Sequence, residues 1–291
     1  MKIEIGTAQF GLSYGISNKS GKVSKSEIAN IFDYSYNMGI VNIDTSPSYG
    51  DSESVVGGAT EGKKFNIITK TPHFLDEKIS ENDISLLNIS INKSLSNLKR
   101  SRLYGALVHS CDDLMKPGGI KIYEYLCRLK DIGTIENIGV SIYNSYQLDY
   151  ILSNLNVDIV QLPVSILDQR LINKGYLSIL KDRGIEVHAR SVFLQGLLLM
   201  NNSDVPGYFK PISNKLNQFN DECEKLLLKP LDLALSFVYS LKDVDKIVIG
   251  VESLHQLKQI VSAINNKVDT CKYEFLSIND SKYVNPSKWK Y

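Results

Sequence analysis

The feature that most constrains the fold is a repeating order of short β-branched runs and amphipathic helical stretches. Eight such units follow one another through the 291 residues, and their predicted strands cover residues 3–9, 41–45, 65–70, 104–109, 137–141, 158–162, 185–190 and 246–250. Alternation at this spacing implies parallel strands joined by crossover helices. Eight units with no linker rich in Pro, Gly or Ser predict one α/β domain over residues 1–291, a single (β/α)8 TIM barrel. The alternative is an open doubly wound sheet, which usually has fewer units and a glycine-rich turn after its first strand.

Capping and turn residues indicate where one helix begins and where one long connection lies. Ser24 and Glu27 have the spacing of a capping box, in which Ser24 caps the helix and Glu27 reaches back to it. Residues 191–229 connect the seventh strand to its helix, and their polar middle at 201–204 predicts a surface excursion that acts as a lid or a flexible segment. In a barrel this loop rises from the catalytic face.

Composition and charge exclude several kinds of partner. Hydrophobic residues make up 43% and charged residues 22%, the formal net charge is +1, and no basic run occurs. We therefore expect neither a nucleic-acid nor a membrane partner, and no apolar stretch reaches the ~18 residues of a membrane span. Residues 1–4 lead directly into a strand-like run, and the four cysteines form neither a C-x-x-C pair nor a zinc-type cluster. These features predict a cytoplasmic protein with reduced thiols and no metal.

Polar side chains end five consecutive predicted strands, where a barrel places its active site. They are Asp44, Lys70, His109, Ser141 and Gln161. Barrel interiors are normally filled by Val, Ile and Leu, and an unpaired neutral polar group costs roughly 2–7 kcal/mol when buried. We therefore expect these side chains to satisfy one another or a ligand.

Tyr49 follows Asp44 in the loop after the second strand, and these two residues with Lys70 and His109 suit proton transfer to a carbonyl oxygen. A Tyr hydroxyl is a poor acid at neutral pH, and a neighbouring Lys ammonium is expected to lower its pKa. Asp44 would keep that ammonium charged and oriented, and His109 would donate a hydrogen bond to the carbonyl oxygen.

Several stretches resemble the aldo-keto reductase family. Residues 44–53, DTSPSYGDSE, are similar to the family signature, in which Asp, Tyr-Gly and Ser-Glu recur at this spacing. Further matches follow along the chain. Residues 68–70 resemble the family's lysine strand, residues 107–109 its histidine strand and residues 138–141 its fifth-strand motif. Gln161 resembles its sixth-strand glutamine, and residues 248–253 resemble its phosphate-binding turn. The matches run in order from Ile3 to about Ile260.

The resemblance implies a catalytic tetrad of Asp44, Tyr49, Lys70 and His109, with Tyr49 as general acid in reduction and general base in oxidation. It also implies a nicotinamide cofactor across the top of the barrel, NADP(H) in the first place and NAD(H) as the alternative. The predicted cofactor-binding residues are Gly6, Thr7, Ser141, Gln161, Arg190, Leu194, Gly196, Leu197, Gly250, Glu252, Ser253 and Gln256. The helix that starts at Ser253 is expected to offer free backbone N–H groups to a phosphate.

Three positions near the adenosine end depart from the family pattern. Glu252 or Gln256 stands where many members carry Arg or Lys for the 2′-phosphate, and Ile260 stands where many have Asn. A carboxylate near the ribose repels a 2′-phosphate and suits a 2′-hydroxyl, which favours NADH.

Residues 6–16, GTAQFGLSYGI, resemble a bacterial branch linked to sugar and surface-polysaccharide biosynthesis. The resemblance implies a small carbonyl substrate such as a keto-sugar, free or nucleotide-linked, with Tyr14 and Tyr143 stacking on it or serving in packing. Two other functions remain open at this point. One is a non-catalytic cofactor-binding or redox-sensing barrel subunit, and the other is a barrel isomerase or aldolase that uses Lys70 as a Schiff-base amine. The oligomeric state is not predicted.

Overall fold

Eight parallel strands form a closed barrel in chain order, with β1 paired to both β2 and β8. The computed structural model describes residues 1–18, 20–266 and 268–289. The strands are β1 Ile3–Gly6, β2 Asn42–Asp44, β3 Asn66–Lys70, β4 Leu103–Val108, β5 Ile135–Ser141, β6 Ile159–Pro163, β7 Glu186–Arg190 and β8 Lys246–Gly250. The closed barrel confirms the predicted (β/α)8 fold and excludes the open doubly wound sheet.

Helices surround the strands. They are α1 Ala8–Gly11, α2 Lys25–Asn37, α3 Ser52–Ala59, α4 Glu81–Leu98, α5 Cys111–Met115, α6 Ile120–Asp131, α7 Ser145–Asn154, α8 Tyr176–Asp182, α9 Ser213–Leu226, α10 Pro230–Ser240, α11 Leu254–Ala263 and α12 Ser281–Val284. Within the described ranges, no helix combines the length and the hydrophobicity that crossing a bilayer requires. The apolar faces of the longer helices pack on the outward faces of the strands and form one large core.

The interior of the barrel is more polar than usual. Its separate apolar cluster consists of Ile68, Leu107 and Ile159 with Tyr104 packed against it. His188 is fully buried there, with Nδ1 2.8 Å from Glu4 Oε2 and Nε2 3.1 Å from Glu186 Oε2. Burial works to lower the pKa of His188, but the carboxylates of Glu4 and Glu186 outweigh it and raise the pKa to about 9. The structure therefore holds an imidazolium between two carboxylates inside the barrel.

The connection between β7 and α10 differs from the predicted loop. It carries short 3₁₀ helices at Leu194–Leu199, Asn202–Asp204 and Gly207–Ile212, followed by α9. Phe209, Leu216 and Phe219 are buried in the main core, and this burial stabilises helical structure over the segment. The polar middle at residues 201–204 is exposed, as expected of a surface excursion, but the connection as a whole is largely helical.

The predicted capping box at α2 forms only in part. Ser24 Oγ accepts a hydrogen bond from Glu27 N–H at 3.3 Å, as predicted. The Glu27 carboxylate does not return to Ser24. Its Oε1 accepts a hydrogen bond of 2.6 Å from Leu254 N–H, at the start of α11, because α2 and α11 pack side by side.

Candidate active site

Polar side chains from five neighbouring strands meet at one mouth of the barrel. Asp44, Lys70 and Ser141 are the last residues of β2, β3 and β5, and His109 directly follows β4. The β5–β6 register pairs Ser141 with Gln161. Because all the strands are parallel, these positions lie at the same end, and all five residues line one cleft of about 440 Å³.

An ion pair forms the floor of this cleft. Lys70 Nζ lies 2.6 Å from each carboxylate oxygen of Asp44 and donates a further hydrogen bond to Thr45 O at 3.1 Å. Gln161 Nε2 donates to Asp44 Oδ1 at 2.8 Å. Burial works to lower the pKa of Lys70, but Asp44 and Tyr49 outweigh it, so the pKa is raised. Lys70 is therefore a charged ammonium, which is a poor nucleophile and disfavours the Schiff-base alternative.

Two glycines allow the loop that carries Tyr49 to pack closely against the end of α1. A Cβ on Gly11 would stand 1.7 Å from Tyr49 O, so no side chain fits there. Gly50 has a left-handed φ of +60°, and a Cβ on it would lie 2.5 Å from Gly11 O. In this position the Tyr49 ring lies over Lys70, whose Nζ is 5.1 Å from the ring centroid.

The pKa of Tyr49 differs from the sequence-based expectation. Burial of the phenol raises its pKa, the nearby Lys70 ammonium lowers it, and the Asp44 carboxylate raises it. The net direction is upward, so the expected lowering was wrong. The reason is that burial, the largest effect, disfavours the phenolate and outweighs the lowering by Lys70, while Asp44 adds a smaller effect in the upward direction. Tyr49 is therefore held as a neutral, protonated phenol.

His109 is a neutral imidazole at physiological pH. Burial lowers its pKa, and the charge of Lys70 lowers it further, to about 2. The ring stands edge-on to Tyr49 at a centroid distance of 5.9 Å and stacks on the exposed His73 at 4.3 Å. Its Nδ1 lies 3.3 Å from Ser46 Oγ, which also accepts the N–H of Ser48 at 3.1 Å. Ser46 Oγ accepts that N–H and can still donate its own proton to Nδ1, an arrangement that would place the imidazole proton on Nε2.

Ser52 and Glu53, which end the 44–53 stretch, hydrogen-bond to neighbouring parts of the barrel. Ser52 Oγ donates within hydrogen-bond distance of both Thr7 O and Thr7 Oγ1, at 2.9 and 2.8 Å. Glu53 Oε1 accepts from Thr69 Oγ1 at 2.6 Å. Both side chains are buried, so they tie the start of α3 to Thr7, just after β1, and to β3, and they hold the Tyr49 loop that precedes α3.

Comparisons with known proteins agree with this fold. The family model described as the aldo/keto reductase family matches residues 2–278. The chain belongs to this family. It is 26% identical over 274 residues to the D-arabinose 1-dehydrogenase of Saccharomyces cerevisiae, covering 84% of this chain and 80% of that protein. It is 26% identical over 262 residues to the NADH-specific methylglyoxal reductase of Escherichia coli, covering 79% and 80%. A solved aldo-keto reductase from Bacillus halodurans, in its holo form, has the same fold with a TM-score of 0.75 at 18% identity, covering 99% and 94% of the two chains.

Most of the predicted cofactor-binding residues of this aldo-keto reductase line the same cleft as the tetrad. They are Gly6, Thr7, Ser141, Gln161, Arg190, Gly196, Gly250, Glu252 and Gln256. The three others do not line it. Leu194 and Leu197 are buried in the core, and the Ser253 hydroxyl caps α11 by accepting from Gln256 N–H at 3.2 Å.

The first turn of α11 also differs from the expectation of free N–H groups. Leu254 N–H is already bonded to Glu27, Gln256 N–H to Ser253, and Glu252 N–H to Gln256 Oε1 at 2.7 Å. Side chains of the protein itself satisfy these amides, because tertiary packing brings Glu27 to this turn.

Two segments close one side of the cleft, one after α1 and one after β7. Tyr14 and Gly196 in these segments were expected at the site from the sequence. Gly15, Ser17, Phe193 and Gln195 also line the cleft and were not expected there. Gln195 O accepts Ile16 N–H at 3.1 Å, and Gln195 Nε2 donates to Tyr14 Oη at 3.0 Å. Gln195 adopts a left-handed φ of +54°, which a non-glycine residue rarely does. A functional loop is a common place for such strain, but no sequence motif marks Gln195.

Proposed function

We propose that this aldo-keto reductase uses NADH or NADPH to reduce an aldehyde or ketone to an alcohol, with Tyr49 as the proton donor. The observation that carries the proposal is the convergence of a protonated phenol, a buried ammonium and a neutral imidazole at one barrel mouth. A carbonyl oxygen placed among them meets a proton donor, a fixed positive charge and an N–H donor.

In the proposed proton transfer, Tyr49 is the donor and Lys70 stabilises the phenolate that remains. As negative charge develops on the carbonyl oxygen, the Tyr49 hydroxyl gives its proton to it. The phenolate that forms lies beside the Lys70 ammonium, whose positive charge opposes the effect of burial on the phenol. Asp44 and Thr45 O hold that ammonium in place through three contacts. His109, with its proton on Nε2, donates to the same carbonyl oxygen and holds it in place.

The cleft residues also suit a nicotinamide dinucleotide. The Ser141 hydroxyl is buried at the cleft wall, and none of the described residues hydrogen-bonds it. Gln161 donates to Asp44 through Nε2, which leaves its Oε1 as an acceptor. A hydroxyl and an amide oxygen at paired positions fit a carboxamide, which has one acceptor and two donors. When bound, this cofactor supplies the hydride.

We further propose a small polar carbonyl compound as the substrate, with a keto-sugar as the specific candidate. The name of the yeast relative refers to D-arabinose, and that of the Escherichia coli relative to methylglyoxal. Tyr14 and Tyr143 line the cleft and supply aromatic faces beside its polar floor.

The test is oxidation of NADH and of NADPH, followed at 340 nm, with methylglyoxal and a panel of aldoses and keto-sugars. We expect the wild type to reduce at least one of these carbonyl compounds and Tyr49→Phe to lose this activity. Tight binding of either dinucleotide without turnover of any carbonyl would instead support a cofactor-binding subunit. Full activity of Tyr49→Phe would contradict the assignment of the proton donor.

A further inference from the structure

Arg190 places a positive charge in the cleft, beside the residues that suit the nicotinamide carboxamide. It ends β7 and lines the cleft, and its Nη2 donates to Ile142 O at 2.8 Å. Ile142 directly follows Ser141, so the guanidinium reaches across β6 to the end of β5. A nicotinamide whose carboxamide binds Ser141 and Gln161 therefore lies next to this charge.

The guanidinium of Arg190 has a defined position in the cleft wall. Its central carbon lies 4.1 Å from the centroid of the Tyr143 ring, and its Nη1 donates to Ser191 Oγ at 3.3 Å. The backbone of Tyr143 is held at both ends, because its N–H donates to Gln147 Oε1 at 2.7 Å and its carbonyl accepts from Arg170 Nη2 at 3.5 Å. The ring that packs on Arg190 is therefore fixed in turn.

The charge of Arg190 has no carboxylate to balance it. Asp44 pairs with Lys70, and Asp168 pairs with Arg170. Among the described residues, no acidic side chain forms a salt bridge with Arg190. Because an arginine side chain stays charged in proteins, its field acts on whatever binds beside it.

The field of Arg190 reaches the catalytic residues. Burial is the main cause of the lowered pKa of His109, and the charges of Lys70 and Arg190 act in the same direction. Glu252 also lines the cleft, but it follows β8, which β6 and β7 separate from β5. The end of the cleft that suits the nicotinamide is therefore positive.

We propose that Arg190 is a specificity-determining residue that makes the cleft bind a reduced nicotinamide dinucleotide more tightly than its oxidised form. The inference rests on the proposed function and applies to NADH and NADPH alike. The oxidised nicotinamide is a positively charged pyridinium, whereas the dihydronicotinamide is neutral. The two forms share the rest of the dinucleotide, so a fixed cation beside the ring repels only the oxidised form. This preference suits a reductase, because the oxidised product then competes poorly with the reduced cofactor.

The decisive experiment measures Kd by isothermal titration calorimetry for NADH and NAD⁺, for NADPH and NADP⁺, and for ADP-ribose, which lacks the nicotinamide. In the wild type we expect the Kd of each oxidised dinucleotide to be about tenfold above that of its reduced form. In Arg190→Gln the charge is gone, and this ratio should fall to about one. The Kd of ADP-ribose should change less than about twofold in this variant, because ADP-ribose has no ring for Arg190 to repel.

Two further variants separate the charge beside the ring from a general loss of positive charge. Arg190→Lys keeps a cation at this position and should keep most of the preference for the reduced form. Lys229→Gln removes a cation that lines the same cleft just before α10. Any effect of Lys229 on the phosphates is the same for both redox forms, so the ratio of their Kd values should stay at its wild-type value.

Two results would overturn the inference while leaving the proposed function intact. One is an equal Kd for the reduced and oxidised forms in the wild type, a measurement that needs no variant to fold. The other is an unchanged ratio in Arg190→Gln, and a parallel weakening of ADP-ribose there would place Arg190 at the phosphates instead. Failure of the wild type to bind any of the four dinucleotides would contradict the proposed function, and the inference with it.

Discussion

Lys70 and Asp44 form a buried ion pair in which the ammonium lies 2.6 Å from both carboxylate oxygens. Lys70 is 1% exposed and Asp44 is 3% exposed, so water screens neither charge. Removing one partner of such a pair typically costs about 3–5 kcal/mol, because the remaining charge stays buried without compensation. We expect Lys70→Met to lower the free energy of unfolding, measured with urea, by about this amount. The double variant Asp44→Asn/Lys70→Met should recover most of the loss, and a double variant as unstable as the single one would contradict the argument.

Tyr49→Phe removes the proposed proton donor and leaves the ring in place. General acid catalysis typically contributes about 10²- to 10⁴-fold, so we expect kcat/KM for reduction to fall within this range. The Kd of the nicotinamide cofactor should stay within about twofold. Tyr36→Phe, at a partly exposed tyrosine of α2, is the matched control and should keep wild-type kinetics. A similar loss in both variants would argue against a special role for Tyr49.

The raised pKa of Tyr49 predicts the alkaline side of the pH profile. Deprotonation removes the donor, so kcat/KM for reduction should fall only as the pH exceeds the ordinary tyrosine pKa of 10.0. His109, with a pKa of about 2, should add no titration between pH 5 and pH 9. The measurement is kcat/KM for reduction against pH. A decline centred near neutral pH in the wild type that is absent from Tyr49→Phe would show that the phenol is acidic after all.

Ser46→Ala removes the hydroxyl that faces His109 Nδ1 at 3.3 Å. We expect a mixture of imidazole tautomers, visible in the ¹⁵N chemical shifts of His109, together with a fall in kcat of about tenfold. Ser46→Thr keeps the hydroxyl and should restore both the shifts and the rate. Wild-type ¹⁵N shifts in Ser46→Ala would mean that the serine does not set the tautomer.

His188 links stability to pH. Its pKa in the folded protein, about 9, lies above its ordinary value of 6.5. The stabilisation is therefore fully present below about pH 6.5 and is lost as the pH rises through about 9. A shift of this size corresponds to about 3 kcal/mol, so the wild-type free energy of unfolding should decline between pH 6.5 and 9. In Glu4→Gln, which removes one of the two carboxylates, the decline should be smaller, and an equal decline in this variant would exclude Glu4 as a cause.

Glu252→Arg tests the carboxylate that lines the cleft beside the start of α11. Burial raises the pKa of Glu252, and the side chain lines the cleft. Replacing a negative charge with a positive one should shift the ratio of kcat/KM values for NADPH and NADH towards NADPH, by about tenfold or more. An unchanged ratio would place the 2′ position of the ribose away from this residue.

The periodicity and spacing of residues in the sequence were sufficient to predict the fold. The eight units predicted the closed barrel because strands and helices are local patterns, and only a few topologies satisfy them. The bounds of some strands differ from the predicted ones. The first strand, for example, ends at Gly6 rather than at residue 9, because Ala8–Gly11 turns into a short helix.

The sequence by itself determined the order of the strands and the residue types that end them, because both follow from patterns within one or two elements. Only the tertiary structure decided the electrostatics. Burial outweighs the effect of Lys70, so the pKa of Tyr49 rises instead of falling. The Glu27 carboxylate accepts from Leu254 N–H in another helix instead of returning to Ser24 at the start of its own helix. Glu4 pairs with His188, which is 184 positions away in the chain. A charge acts through space and depends on burial, so the partners of these groups become known only when distant parts of the chain are packed together.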